Sequence, residues 1–219
     1  MSELTTTGHG HGAAHPTASG EVPSMGVDSR KMGVWAFIGS EIMFFAALIT
    51  TYLVLKPKNA AIEEEKHAKN PGYEPQLPHH FLDINLTTVL ASILLASSLT
   101  MVLALAAVRR GDQRRFRIWL LATIGLGLSF LGGQAYEFTH LYSEGLTLSS
   151  SLFGATFFLT TGFHGTHVAI GATWLFAIFL NSLRHPYGGE NYMDVEIGGL
   201  YWHFVDLVWV AIFVLLYLI

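Results

Sequence analysis

Cysteine is absent from the 219 residues, which rules out a disulfide framework, a thiolate metal site and a thiol nucleophile. Charge is scarce. Asp, Glu, Lys and Arg together make up 13%, about half the share of an ordinary soluble domain. Too few ionised groups remain to cover a globule of this size in water. Basic excess is also missing: the net charge is −4, so nothing draws the chain to a nucleic-acid backbone. A disordered protein, a nucleic-acid binder and an ordinary cytosolic enzyme are all disfavoured. Hydrophobic residues fill 51% of the chain and mean hydropathy is +0.43. The composition points to a membrane.

Residues 1–30 are polar and rich in Gly, His, Ser and Thr. No apolar run follows Met1, which argues against a secretory signal, and the segment reads as a flexible arm on the cytoplasmic side. His9, His11 and His15 offer imidazoles to a stray divalent cation, but a solvated tail is the simpler reading.

Five apolar segments follow: Met32–Leu55, Ile84–Val108, Ile118–Phe138, Leu152–Leu180 and Ile197–Ile219. Each reaches the roughly 20 residues that a helix needs to cross the hydrocarbon core. None alternates in polarity as a spanning strand would. A helix also pairs its backbone groups within the segment, which lipid demands. The expected fold is therefore an all-α integral membrane protein, residues 31–219 forming a bundle of five transmembrane helices.

Basic residues set its orientation. With the N-terminus inside, the inner segments hold Arg30, Lys31, Arg109, Arg110, Arg114, Arg115, Arg117 and Arg184, against Lys56, Lys58, Lys66 and Lys69 outside. The turn GDQRR (111–115) is the strongest anchor. The outer loop Lys56–Asp83 reads as a solvated connector, with a short surface helix in AAIEEEKHAK and an irregular NPGYEPQLP stretch.

Function is to be sought where ionisable groups enter the spans, because each costs about 2.5–3.5 kcal/mol on insertion scales unless it finds a partner. Glu41 lies near the midplane of helix 1, roughly 14 Å along it. Glu137 lies near the outer end of helix 3, His164 and His167 in GFHGTHV on helix 4, and His203 and Asp206 in YWHFVD on helix 5. The two histidines of helix 4 are three residues apart and read as one shared face. Asp206 stands in the same relation to His203 and is placed to accept from its imidazole. Two small-residue ladders, Gly125–Ser129–Gly133 and Ala96–Thr100–Ala104, read as sites of close helix approach.

Three readings of these groups compete. A haem or metal site is disfavoured by two histidines crowded on one helix and by the lack of a Glu-x-x-His pair. A proton relay through Glu41, His164, His167 and Asp206 lacks stepping stones on helix 2. Inter-helix hydrogen bonding that fixes the packing is the third, and carries most weight. No nucleophile with an adjacent base and no phosphate-binding glycine loop is present.

SEIMFF (40–45), GDQRRFRIWLLATIGLG (111–127), QAYEF (134–138), TFFLTTGFHGTHVAIG (156–171) and YWHFVDLVWVAIFVLLY (201–217) resemble, in the same order, subunit III of the haem-copper terminal oxidases. The resemblance implies a chain without haem or copper of its own, in a complex whose partner subunits carry them. It implies packing against subunit I, which reduces oxygen and pumps protons, contact with other oxidase subunits, phospholipid in a cleft, and support for proton uptake and durable turnover. Glu41 matches the family's intramembrane acid, Glu137 the acid of the third helix, and His164, His167, His203 and Asp206 the signature of the last two helices. Many members have seven helices, with the lipid cleft between the first two and the rest. This chain carries only the last five, and in short relatives extra helices of subunit I take the missing place. SEIMFF resembles the cytochrome c branch more than the quinol branch, where Asp is frequent. A quinol oxidase subunit, an accessory subunit of nitric oxide reductase and a stand-alone haem-binding membrane protein are the alternatives.

The charge pattern generates a topology test. Cysteine at Gln113 should be protected from an impermeant thiol reagent added outside, and cysteine at Asn70 should react. The reverse labelling would overturn the orientation.

Overall fold

The computed structural model describes residues 29–72, 75, 83–188 and 192–218. Among them five helices are long and apolar enough to cross a membrane. They are α1 (Ser29–Lys69), α2 (Ile84–Arg109), α3 (Gln113–Ser143), α4 (Leu152–Arg184) and α5 (Met193–Ile212), and a π-helical turn, Phe213–Leu218, continues α5. The arm with His9, His11 and His15 lies outside the described residues.

The helix ends follow from local chemistry. Asp83 caps α2 by accepting from Asn85 N and Leu86 N, Asp112 caps α3 through Arg115 N, and Ser151 caps α4 through Gly154 N. Each takes up donors that the first turn leaves unpaired. Gly111 and Gly145 sit at φ +77° and +86°, the left-handed conformation that ends α2 and α3 and that glycine adopts without steric cost.

The connector between α1 and α2 differs from expectation. AAIEEEKHAK is helical, but it is the end of α1 rather than a separate surface helix. The helix has 41 residues, roughly 60 Å at 1.5 Å per residue, twice the hydrocarbon thickness of about 30 Å. Its last turns therefore stand clear of lipid. Pro57 lies inside it and removes one backbone bond. Tertiary contact holds the continuation in place. Asn59 is buried, and its Oδ1 accepts from Phe153 N at 3.1 Å, satisfying another orphan donor at the start of α4. Glu63 is buried as well and takes Lys66 Nζ at 2.8 Å.

Helix α5 with its extension forms the axis. Over its most apolar window 56% of the residues are buried, against 11% for α1, so α1 lies on the bundle's margin. Two tryptophans of α5, Trp202 and Trp209, are among the largest fully buried side chains. Trp202 lies over Gly127 of α3, where an added Cβ would fall 2.5 Å from the indole. Gly133 meets Leu90 of α2 as closely, at 2.2 Å, whereas nothing stands within 4 Å of Gly125. The Gly125–Ser129–Gly133 ladder is thus not one interface. Gly125 and Ser129 face outward, and the close approach uses Gly127 and Gly133. The other ladder also divides, Ala96 being exposed and Ala104 buried.

At the end of the bundle where α1 begins, Lys31 Nζ lies 2.9 Å and Arg109 3.5 Å from the Glu196 carboxylate, joining α1 and α2 to the start of α5. Arg109 also lies over the Tyr192 ring, 5.4 Å from its centroid. Gln113 exchanges hydrogen bonds with the Tyr187 backbone, and Arg117 donates to Ser182 O. The α4–α5 connection is thereby tied to the basic α2–α3 turn. Exposed Arg114 is consequently a cleaner labelling position than Gln113.

The tryptophan contact predicts a contrast. Gly127→Ala pushes a methyl into a rigid indole and should cost about 1–3 kcal/mol, lowering the thermal transition of the subunit. Gly125→Ala should leave it unchanged. Equal transitions for both variants would contradict this packing.

Candidate functional site

The intramembrane polar groups form three clusters, each joining helices. The first joins α1 to α4. Glu41 Oε2 lies 3.2 Å from His167 Nε2, with side-chain exposures of 19% and 14%, so the pair is sheltered at the bundle's margin. His167 Nδ1 lies 2.8 Å from Phe163 O. A carbonyl only accepts, so Nδ1 carries a proton. The neutral imidazole then has only a lone pair at Nε2. The contact with Glu41 needs one further proton, held by a neutral carboxyl or by an imidazolium facing a carboxylate. Either way the pair is electrically neutral overall, which suits an apolar surrounding. Phe44 and Phe45 pack around it, Phe45 5.1 Å from the His167 ring and Phe44 5.1 Å from Phe163. Tyr201 Oη donates to His167 O at 3.2 Å.

His164 does not share that site. It is fully buried, stacked at 4.9 Å on Trp209 and flanked edge-on by Phe130 at 5.7 Å and Phe45 at 6.5 Å. The expectation of one shared face fails for a geometric reason. Three residues advance a helix by about 300°, leaving two side chains about 60° apart. At the corner where α1, α4 and α5 meet, this angle sends His167 to α1 and His164 to the core. Aromatic rings occupy the space around His164 that a macrocycle would need.

The second cluster joins α2 to α5. Ser98 Oγ lies 2.6 Å from His203 Nδ1. His203 thus turns to a hydroxyl from α2 rather than to Asp206 along its own helix. Beside it, Trp202 Nε1 donates to Ser97 Oγ at 3.0 Å.

The third cluster closes the end of the bundle at which α2 begins. Glu137 on α3 accepts from Tyr217 Oη at 3.1 Å and from Thr87 Oγ1 at 3.3 Å, while Tyr52 Oη donates to Leu216 O at 3.3 Å. The π-helical turn thus meets α1, α2 and α3 together. Gln134, one turn before Glu137, donates from Nε2 to Thr161 O at 2.7 Å. Its Oε1 lies where a Cβ on Gly165 would fall, at 2.4 Å, which is why a side chain at 165 would break this contact.

Residues that sequence reasoning did not single out complete the second and third clusters and the surroundings of His164: Ser98, Thr87, Tyr217, Gln134 and Trp209. Their one signal is a polar atom within an apolar run, which many lipid-facing Ser and Thr residues share. Among the described residues no three His, Asp or Glu side chains gather as a metal site. On the outer face of α4 an apolar groove of about 440 Å³ is lined by Thr166, Ala169, Ile170, Thr173, Trp174 and Ala177.

Residues 13–219 match the family model described as cytochrome c oxidase subunit III. The chain belongs to that family. It is 36% identical over 187 residues to quinol oxidase subunit 3 of Bacillus subtilis, covering 85% of each chain. It is 34% identical over 202 residues to cytochrome c oxidase subunit 3 of the same organism, covering 92% of this chain and 91% of the relative. A cytochrome c oxidase subunit 3 from Corynebacterium diphtheriae is 35% identical over 188 residues, covering 86% of this chain and 87% of the relative. The all-α bundle and the membrane assignment expected from the sequence agree with this family.

The proton count of the first cluster predicts how Glu41 variants behave. Glu41→Gln supplies an N–H to the lone pair of His167 and should assemble nearly normally. Glu41→Leu strands the imidazole and should lower stability by about 1–2 kcal/mol, seen as easier loss of the subunit in detergent. Equal retention of both variants would refute the pairing.

Proposed function

We propose that this chain is the non-catalytic third subunit of a haem-copper respiratory terminal oxidase, held in the cell's inner (plasma) membrane with its N-terminus in the cytoplasm and its C-terminus outside. In this reading it packs against and stabilises subunit I, touches other oxidase subunits, and leaves haem and copper to those partners. Oxygen reduction and proton pumping take place in the partner chains. The observation that carries the proposal is that pairs of intramembrane polar groups join one helix to another: Glu41 with His167, Ser98 with His203, Glu137 with Tyr217 and Thr87. Groups spent on packing are not placed for substrate chemistry.

The roles assigned to the six ionisable residues follow. Glu41 and His167 lock the marginal α1 to α4. His203, one turn from Asp206, fixes α5 to α2, and Glu137 anchors the outer end. His164 fills the core beneath Trp209. The apolar groove on α4 suits a phospholipid acyl chain.

Cytochrome c is the proposed electron donor, since Glu41 in SEIMFF resembles that branch. Quinol is the second reading, favoured by the 36% identity to a quinol oxidase subunit 3.

Removal of the chain from its oxidase tests the accessory role. Haem content and the initial rate of oxygen reduction should stay largely intact, while turnover durability or proton uptake declines. Immediate loss of haem would refute the proposal and favour a haem-binding chain.

A further inference from the structure

Polar atoms remain unsatisfied in one region of the core. Both ring nitrogens of His164, Trp209 Nε1 and Asp206 Oδ1 are buried and without a hydrogen-bond partner. His164 and Trp209 are in direct contact, their rings stacked at 4.9 Å, and Asp206 lies one turn from Trp209 on α5. These atoms face a part of the bundle bounded by Phe130 of α3, by α4 and by α5. Buried donors and acceptors left unpaired in lipid are expensive, and proteins that retain them supply water where a site is polar and offers two to four partners.

We propose that this region is a binding site for internal water, which hydrogen-bonds Trp209 Nε1, Asp206 Oδ1 and the His164 imidazole. The hydrogen bonds of the first water balance. One water accepts from the indole N–H and donates one proton to Asp206 Oδ1 and the other to the unprotonated nitrogen of His164. The remaining N–H of His164 needs an acceptor, which a second water provides.

The water joins α4 to α5 within the core, across the bundle rather than through the membrane, with His164 on one side and Trp209 and Asp206 on the other. The inference concerns the folded chain itself and holds for either electron donor.

The test is a density map of the intact membrane complex at a resolution that shows ordered water in the other subunits. Water density is expected within about 3 Å of both Trp209 Nε1 and Asp206 Oδ1. In Trp209→Phe, which removes the donor and keeps an aromatic ring, that density should disappear or shift towards His164. A wild-type map with ordered water elsewhere but none between these atoms overturns the proposal, and so does unchanged density in Trp209→Phe. If that variant does not assemble, the wild-type map decides alone.

Discussion

Lipid offers no hydrogen bonds, and it is as apolar as the side chains it would have to displace. Neither the backbone nor a buried carboxyl can turn to it. Everything that holds these five helices in register must therefore come from close packing and from polar groups that satisfy one another. The clearest case is Glu41 and His167 at 3.2 Å. With His167 Nδ1 committed to Phe163 O, the pair shares a single proton and stays neutral overall. A marginal helix, with only 11% of its most apolar window buried, is thus attached at mid-depth without an uncompensated charge.

The same constraint explains why α5 is the axis. It carries tryptophans that need both large buried volume and a partner for the indole N–H. Trp202 finds Ser97 and lies across Gly127. Trp209 stacks on His164 and packs edge-on against Phe130 at 4.7 Å. Each position needs a small residue or a ring on the facing helix, so mutual shape determines which helices become neighbours. Hydrogen bonds of about 0.6–2 kcal/mol then select one register among those that shape allows.

The two ends use different chemistry because their surroundings differ. At one end, basic residues of the N-terminal turn of α1 and of the α2 terminus converge on Glu196. The more exposed pair Arg30–Asp194 at 3.9 Å adds little there. At the other end, α1 continues past its apolar run, and Asn59 supplies the start of α4 with a second acceptor beside that of Ser151. The N-terminus of one helix is thus completed by the side chain of another.

The sequence by itself determined the class, because hydrocarbon thickness converts a run of about 20 apolar residues into a spanning helix irrespective of its neighbours. It also marked Glu41, Glu137, His164, His167, His203 and Asp206 as groups needing partners, since the cost of burying a charge is local to the residue. It did not determine the partners. Whether the 60° between His164 and His167 places them together or apart depends on where α1 and α5 stand. Whether His203 turns to Asp206 or to Ser98 depends on α2. The ladder at Gly125 looked like an interface because small residues at that spacing permit close approach, but permission does not choose a neighbour. The continuation of α1 through Pro57 was illegible for the same reason: local propensity ends a helix there, and only the contacts of Asn59 and Glu63 with the rest of the fold carry it on. Those choices belong to tertiary structure, where one surface must fit another and each buried polar atom must meet its complement.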